Sequence, residues 1–171
     1  MTSRALLAVA TAICLAGPIQ VALSQAIGNQ EKMNLEQNKA IVRSYMDEIM
    51  NKGNMAALDS YLSDEVTFNN AKGFKQRFPA IRQAILSAFP DHILTIEDQV
   101  AEADKVVTRV TFHGTHQGPF NGIAATGKQV QWSGIAMDRI ADGKVIEMWH
   151  LQNTTGLLQQ IAAPPSADPR K

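Results

Sequence analysis

The residues best suited to proton transfer in this sequence cluster on one hairpin near its end. Asp138 and Glu147 flank Asp142-Gly143, a strong short signal for a two-residue turn, because a type I′ turn takes positive φ twice. With those two residues in the loop, Ala141 faces Lys144, Ile140 faces Val145 and Asp138 faces Glu147. Continuing, Ala136 lies opposite Trp149, Gly134 opposite Leu151, and Trp132 opposite Asn153. Opposed side chains share a face. One face then holds Trp132, Gly134, Ala136, Asp138, Glu147, Trp149, Leu151 and Asn153. The other holds Ser133, Ile135, Met137, Arg139, Ile146, Met148, His150 and Gln152. The first mixes small, aromatic and polar residues, as a ligand wall requires. Two carboxylates side by side repel, which raises one pKa toward a range useful for acid/base work. The alternative leaves both in water near the turn, with Glu147 paired to Arg139 or Lys144. A single β-bulge would shift the pattern partway along.

Arg109 lies mid-strand on a face shared with Val107, Thr111 and His113, opposite Val106, Thr108, Val110 and Phe112. In a cavity its permanent charge would hold a carboxylate or enolate oxygen; on a solvated face it would be an ordinary surface arginine. His116, in the loop Gly114-Thr-His-Gln-Gly118, is a candidate general base or simply a structural loop histidine. Tyr45, Phe68, Trp132 and Trp149 would line an apolar cavity or pack a core. No histidine has a partner at metal-ligand spacing, so no metal is expected. Nucleotide loops, serine nucleophile elbows and paired-glycine fingerprints do not occur, which leaves phosphoryl transfer, serine hydrolysis and dinucleotide redox unsupported.

The elements that must position these residues fall into two halves. Asn34-Leu-Glu-Gln37 reads as a capping box, and Val42, Tyr45, Met46 and Ile49 repeat at helical spacing until Lys52-Gly53. Asn54 would cap a short helix with Leu58 and Leu62 inward, and a strand follows around Val66 to Phe68. Pro79 suits the first turn of a third helix, with Ile81, Ile85, Leu86 and Phe89 on its apolar face. Strands are expected from Ile93 to Val100 and Lys105 to His113, joined at Ala103-Asp104, and from Gln129 to Ile140 and Lys144 to Leu151. Leu157, Leu158 and Ile161 form a last helical turn. Helices first and an antiparallel meander afterwards mean an α+β fold.

Residues 1–26 read as a cleaved secretory signal: Arg4, then an apolar run from Ala5 to Ala16, then Ser24-Gln25-Ala26. The run is too short for a membrane anchor, which needs about 20 apolar residues. The expected domain spans residues 27–162, with residues 163–171 a disordered tail and the product secreted or periplasmic. The one cysteine, Cys14, leaves with the signal, so disulfides and thiol catalysis are excluded from the mature chain. Acidic and basic residues balance at 16 each, without a basic run, so nucleic-acid binding is not predicted.

Taken together, Phe89-Pro-Asp91, Gly114-Thr-His-Gln-Gly118, Ala125-Thr-Gly-Lys128 and the stretch from Ala141 to Gln160 closely resemble the SnoaL-like polyketide (ester) cyclases of the nuclear transport factor 2-like superfamily. The resemblance implies a cone-shaped sheet curled around helices with a central pocket, a small apolar carbonyl ligand, no cofactor, and a homodimer or higher homo-oligomer. It implies aldol-type ring closure, isomerisation or a related lyase step. Candidates for base are His116, Glu147 and Asp138, with Arg109 or Asn153 as donor to an oxyanion. An arginine is usual in the family near Arg109, and His116 matches its recurring Thr-His-x-Gly. The family's presumed acid/base aspartate, four residues after the tryptophan, is Asn153 here, and its first-strand histidine falls near Phe68. An amide has no accessible pKa, so the readings for Asn153 are a helix cap, a polar pocket contact or an essential catalytic role. The rival reading is a non-catalytic binder or interaction module on the same fold.

Overall fold

The computed structural model describes residues 10–163. The expected signal's Arg4 and all but the first residue of the expected tail lie outside the described residues. Helix α1 (Ala10–Tyr45) continues as a π-helical turn (Met46–Asn51) and is followed by a 3₁₀ turn (Met55–Ala57) and the short α2 (Leu58–Tyr61). Then come β1 (Leu62–Phe68), α3 (Phe74–Ala88), β2 (Ile93–Glu102), β3 (Lys105–Thr115), β4 (Gln129–Ala141), β5 (Lys144–Gln152) and α4 (Thr154–Ala162). The strands form one mixed sheet in the order β1-β5-β4-β3-β2, with β1 parallel to β5 and the other pairs antiparallel. This is the α+β architecture read from the sequence.

Two helix starts differ from expectation. α1 runs unbroken through Asn34, which accepts a hydrogen bond from Gln30 one turn earlier instead of capping. From residue 19 to residue 34 the helix meets no core: Ile19, Val21, Leu23, Ile27 and Met33 are all more than half exposed. α3 begins a turn before Pro79, because Gly73 at φ 70° lets the chain turn directly into Phe74. Its buried stripe is accordingly Phe74, Phe78 and Arg82, with Ile81 partly exposed. Both hairpin turns are as expected, with positive φ at Ala103, Asp142 and Gly143.

The register of the last hairpin is the decisive departure. Ala141 pairs with Lys144 and Ile140 with Val145, but Arg139 then pairs with Glu147, Asp138 with Met148 and Ala136 with His150. Ile146 is an extra residue, a β-bulge. Val145 and Met148 are both 0 % exposed, and three positions apart they cannot share a face of a regular strand. The bulge buries Met148 where strict alternation would have buried the charged Glu147.

The inner face of the sheet packs against α1, the π turn and α3. Arg82, buried within this contact, donates to the Met50 carbonyl and, at 3.3 Å, to Nδ1 of His92. Burial, then the charge of Arg82, lowers the His92 pKa from 6.5 to about 4. His92 is therefore neutral when folded yet takes up a proton near pH 6.5 when unfolded. Its contribution is complete above pH 6.5 and lost as pH falls toward 4, by on the order of 3 kcal/mol. Asp91, held below the usual carboxylate range by the Thr115 hydroxyl and amide, acts only at lower pH. Denaturant unfolding between pH 7 and 4 is expected to show this loss, and His92→Gln to flatten it; an unchanged slope in the variant would reject the assignment.

Candidate active site

Between the inner face of β3, β4 and β5 and the helices lies a cavity of about 80 Å³. Its wall is largely apolar, with Phe68, Phe74, Phe78 and Phe112 among the aromatics and Met46 and Met50 from the π turn. Three polar side chains interrupt it: Tyr45, His150 and Gln152.

His150 reaches this wall through the bulge, which turns Met148, His150 and Gln152 inward beside Gly134, Ala136 and Asp138. Its Nε2 lies 3.1 Å from Oδ1 of Asp138, a carboxylate that is 0 % exposed. A carboxylate can only accept, so Nε2 is the donor in this contact. The backbone of His150 is clamped as well. Asn69, just past β1, accepts from the His150 amide at 2.9 Å and donates to its carbonyl at 3.1 Å. Phe68 meets the imidazole edge to face at 5.1 Å. Tyr45 is fully buried, and burial followed by the nearby Asp138 charge raises its pKa well above 10. It is thus a neutral phenol, able to donate. Oδ2 of Asp138 is buried with no partner among the described residues.

The remaining expected site residues lie elsewhere. Glu147 and Trp149 are on the outer face, because the bulge reverses their direction relative to the regular register. Glu147 accepts from the Trp149 indole at 2.9 Å and from Arg139 at 3.0 Å, and both lower its pKa. The expected Asp138–Glu147 repulsion does not arise, since the two occupy opposite faces. Arg109 is exposed on the outer face, across from Ile135 and Asp98. His116 is 0 % exposed and sits outside the cavity wall. Its Nδ1 meets the Thr126 hydroxyl at 3.1 Å and its ring lies against Phe89, which ties the Gly-rich loop to the end of α3. Trp132 faces inward but is spent on packing with Phe112, Phe89 and His92, and its indole donates to Gln152. Asn153 caps α4: its side-chain oxygen accepts from the Gly156 amide at 3.0 Å, and it stands in solvent. Tyr45 and Phe68 do line the cavity. Sequence reasoning placed His150 on the opposite face, and its inward direction follows from the bulge alone. Among the described residues no group of three or more His, Cys, Asp or Glu is arranged to hold a metal ion.

A sequence model of the SnoaL-like polyketide cyclase family matches residues 40–161. No curated protein matches the chain. Among solved structures, AclR from Streptomyces galilaeus, a candidate hydroxylase, is similar at 28 % identity and a TM-score of 0.66, over 79 % of this chain and 87 % of its own. TsrD from Streptomyces laurentii is similar at 29 % identity and a TM-score of 0.67, over 75 % of this chain and 97 % of its own. A candidate SnoaL-like polyketide cyclase from a Jannaschia species is similar at 25 % identity and a TM-score of 0.66, over 77 % of this chain and 95 % of its own.

The capping geometry of Asn153 makes a direct forecast. Asn153→Asp preserves the cap and leaves stability within a few tenths of a kcal/mol, whereas Asn153→Ala costs about 1 kcal/mol. Chemical denaturation of both variants checks this, and a destabilised Asp variant would refute the capping role.

Proposed function

The chain belongs to the SnoaL-like polyketide cyclase family, and from that premise we propose that it binds a small apolar carbonyl compound and moves a proton on it with His150. The observation that carries the proposal is the buried Asp138–His150 pair, 3.1 Å across, opening onto an otherwise greasy cavity. Nδ1 of His150 takes the proton from the carbon next to the carbonyl, and the imidazolium that forms is stabilised by Asp138. The electron pair passes to the carbonyl oxygen, where the Tyr45 phenol donates to the enolate. The proton then returns to another carbon in an isomerisation, or the enolate carbon attacks a second carbonyl and the new alkoxide takes the proton in an aldol closure. The scheme needs no cofactor. General-base action of this kind is worth about 10²–10⁴ in rate.

Deuterium incorporation next to the carbonyl of a bound ketone is expected in the wild type and to fall by that factor in His150→Ala. Asp138→Asn is expected to fall less, since the imidazole survives without its counter-charge. Exchange that persists in His150→Ala would end the assignment.

A second reading, a binder without turnover, is favoured by the sparse polar content of the wall and by the use of Asn153 as a cap. It predicts ligand retention with no exchange in the wild type.

Two further features belong to the proposal. Export with removal of residues 1–26 is supported by the pattern from Arg4 to Ala26, and residues 19–26 are exposed, so their loss would cost no core contact. Among the described residues no helix is long and apolar enough to cross a membrane. A homodimer through the outer sheet face is supported by Ile135, Trp149 and Leu151, which are 53 %, 38 % and 79 % exposed. A contiguous apolar patch of this kind marks an interaction surface. Light scattering is expected to give a dimer for the wild type and a monomer for Leu151→Asp combined with Trp149→Lys; a wild-type monomer would reject it.

A further inference from the structure

From the walls of the cavity we infer its substrate class: a neutral enolisable ketone no larger than about one ring, to the exclusion of carboxylate-bearing and fused multi-ring compounds. This rests on the cavity being the binding site proposed above.

Size supplies the first argument. The space is about 80 Å³, against roughly 150 Å³ for an engineered protein cavity that takes benzene and about 300 Å³ or more for drug-sized ligands. Met46 and Met50 are unbranched and able to yield, which allows one ring to enter. The aromatic side does not yield in the same way. Phe68 stacks on Phe74 at 4.5 Å and 10°, and Phe74 continues to Phe78 at 5.2 Å. Across from them Phe112 is stacked on Trp132 at 5.3 Å and on His92 at 5.5 Å. Moving either wall would dismantle a packed aromatic row.

Charge supplies the second. Among the described residues the wall contains no lysine or arginine. Two buried cations on α3 have partners outside the cavity: Arg82 donates to the Met50 carbonyl and His92, its Nε unpartnered among the described residues, and Lys75 meets Asp59, Asp64 and the Leu62 carbonyl. Arg139 is held by Asp104 and Glu147 on the outer face. The charge that meets the lining His150 is the Asp138 carboxylate, with one oxygen unpartnered among the described residues. A carboxylate ligand would be desolvated next to a like charge, with no cation on the cavity wall to neutralise it.

The polar complement supplies the third. The Gln152 oxygen already accepts from the Trp132 indole, which leaves the His150 ring, the Tyr45 hydroxyl and the Gln152 amino group facing the ligand. One base and neutral donors match a carbonyl with an acidic C–H beside it.

Titration of the ¹⁵N-labelled full chain with cyclohexanone, cyclohexanecarboxylate and the three-ring ketone anthrone tests the inference. The readout is the shift of the His150 ring and the backbone amides of Phe74, Phe112 and Gly134. Cyclohexanone is expected to bind at least tenfold more tightly than either of the others. Equal or tighter binding of the carboxylate or of anthrone overturns the inference while leaving the cavity as the site. Failure of all three to shift the cavity resonances overturns it together with the binding proposal. Cyclohexanone binding without deuteration of its α-carbon supports the size and charge limits and removes only the proton-transfer reading.

Discussion

Val145 and Met148 are both fully buried although they lie three residues apart on β5, and the chain meets that demand with one extra residue, Ile146. Everything at the site follows from this bulge. It sends Glu147, Trp149 and Leu151 to the outer face and brings His150 and Gln152 to the inner one. The driving force is ordinary: a fully buried Met side chain is worth about 1.5–3 kcal/mol, whereas the same position filled by Glu147 would hold an unpaired carboxylate. Apolar burial chooses the register, and the register chooses which side chains face the cavity.

The consequence is a carboxylate in the interior. Asp138 has one oxygen on His150 and the other without a partner, an arrangement that stability alone does not favour. The carboxylate accepts from His150 directly, and burial together with its charge keeps the Tyr45 phenol protonated. An imidazole and a phenol are thereby gathered around one buried carboxylate.

Rigidity around the pair comes from side chains that stand in for backbone. Asn69 pairs with both backbone groups of His150 where β1 has ended, and Asn51 does the same for Leu94 at the start of β2. Arg82 holds the Met50 carbonyl of the π turn, whose irregular backbone carries Met46 and Met50 into the cavity. These contacts join the floor, the strand edge and α3, so the aromatic walls keep their spacing without any disulfide.

Local chemistry was legible in the residues alone. The α+β order, the positive-φ turns at Ala103-Asp104 and Asp142-Gly143, the helical stripe from Val42 to Ile49 and the inward direction of Trp132, Ala136 and Asp138 all rest on short-range preferences, and the motifs from Phe89 to Gln160 carried the family. What the tertiary structure alone decided lies beyond the point where strict alternation stops: the facing of Glu147, Trp149 and His150, the exposure of Arg109 and the burial of His116. Asn153 is similar, since a cap and a pocket contact use the same residue type and differ only in where the next helix begins. A bulge is set by which distant surfaces β5 must cover, here β1 and α2. No property of residues 144–152 read in isolation contains those surfaces.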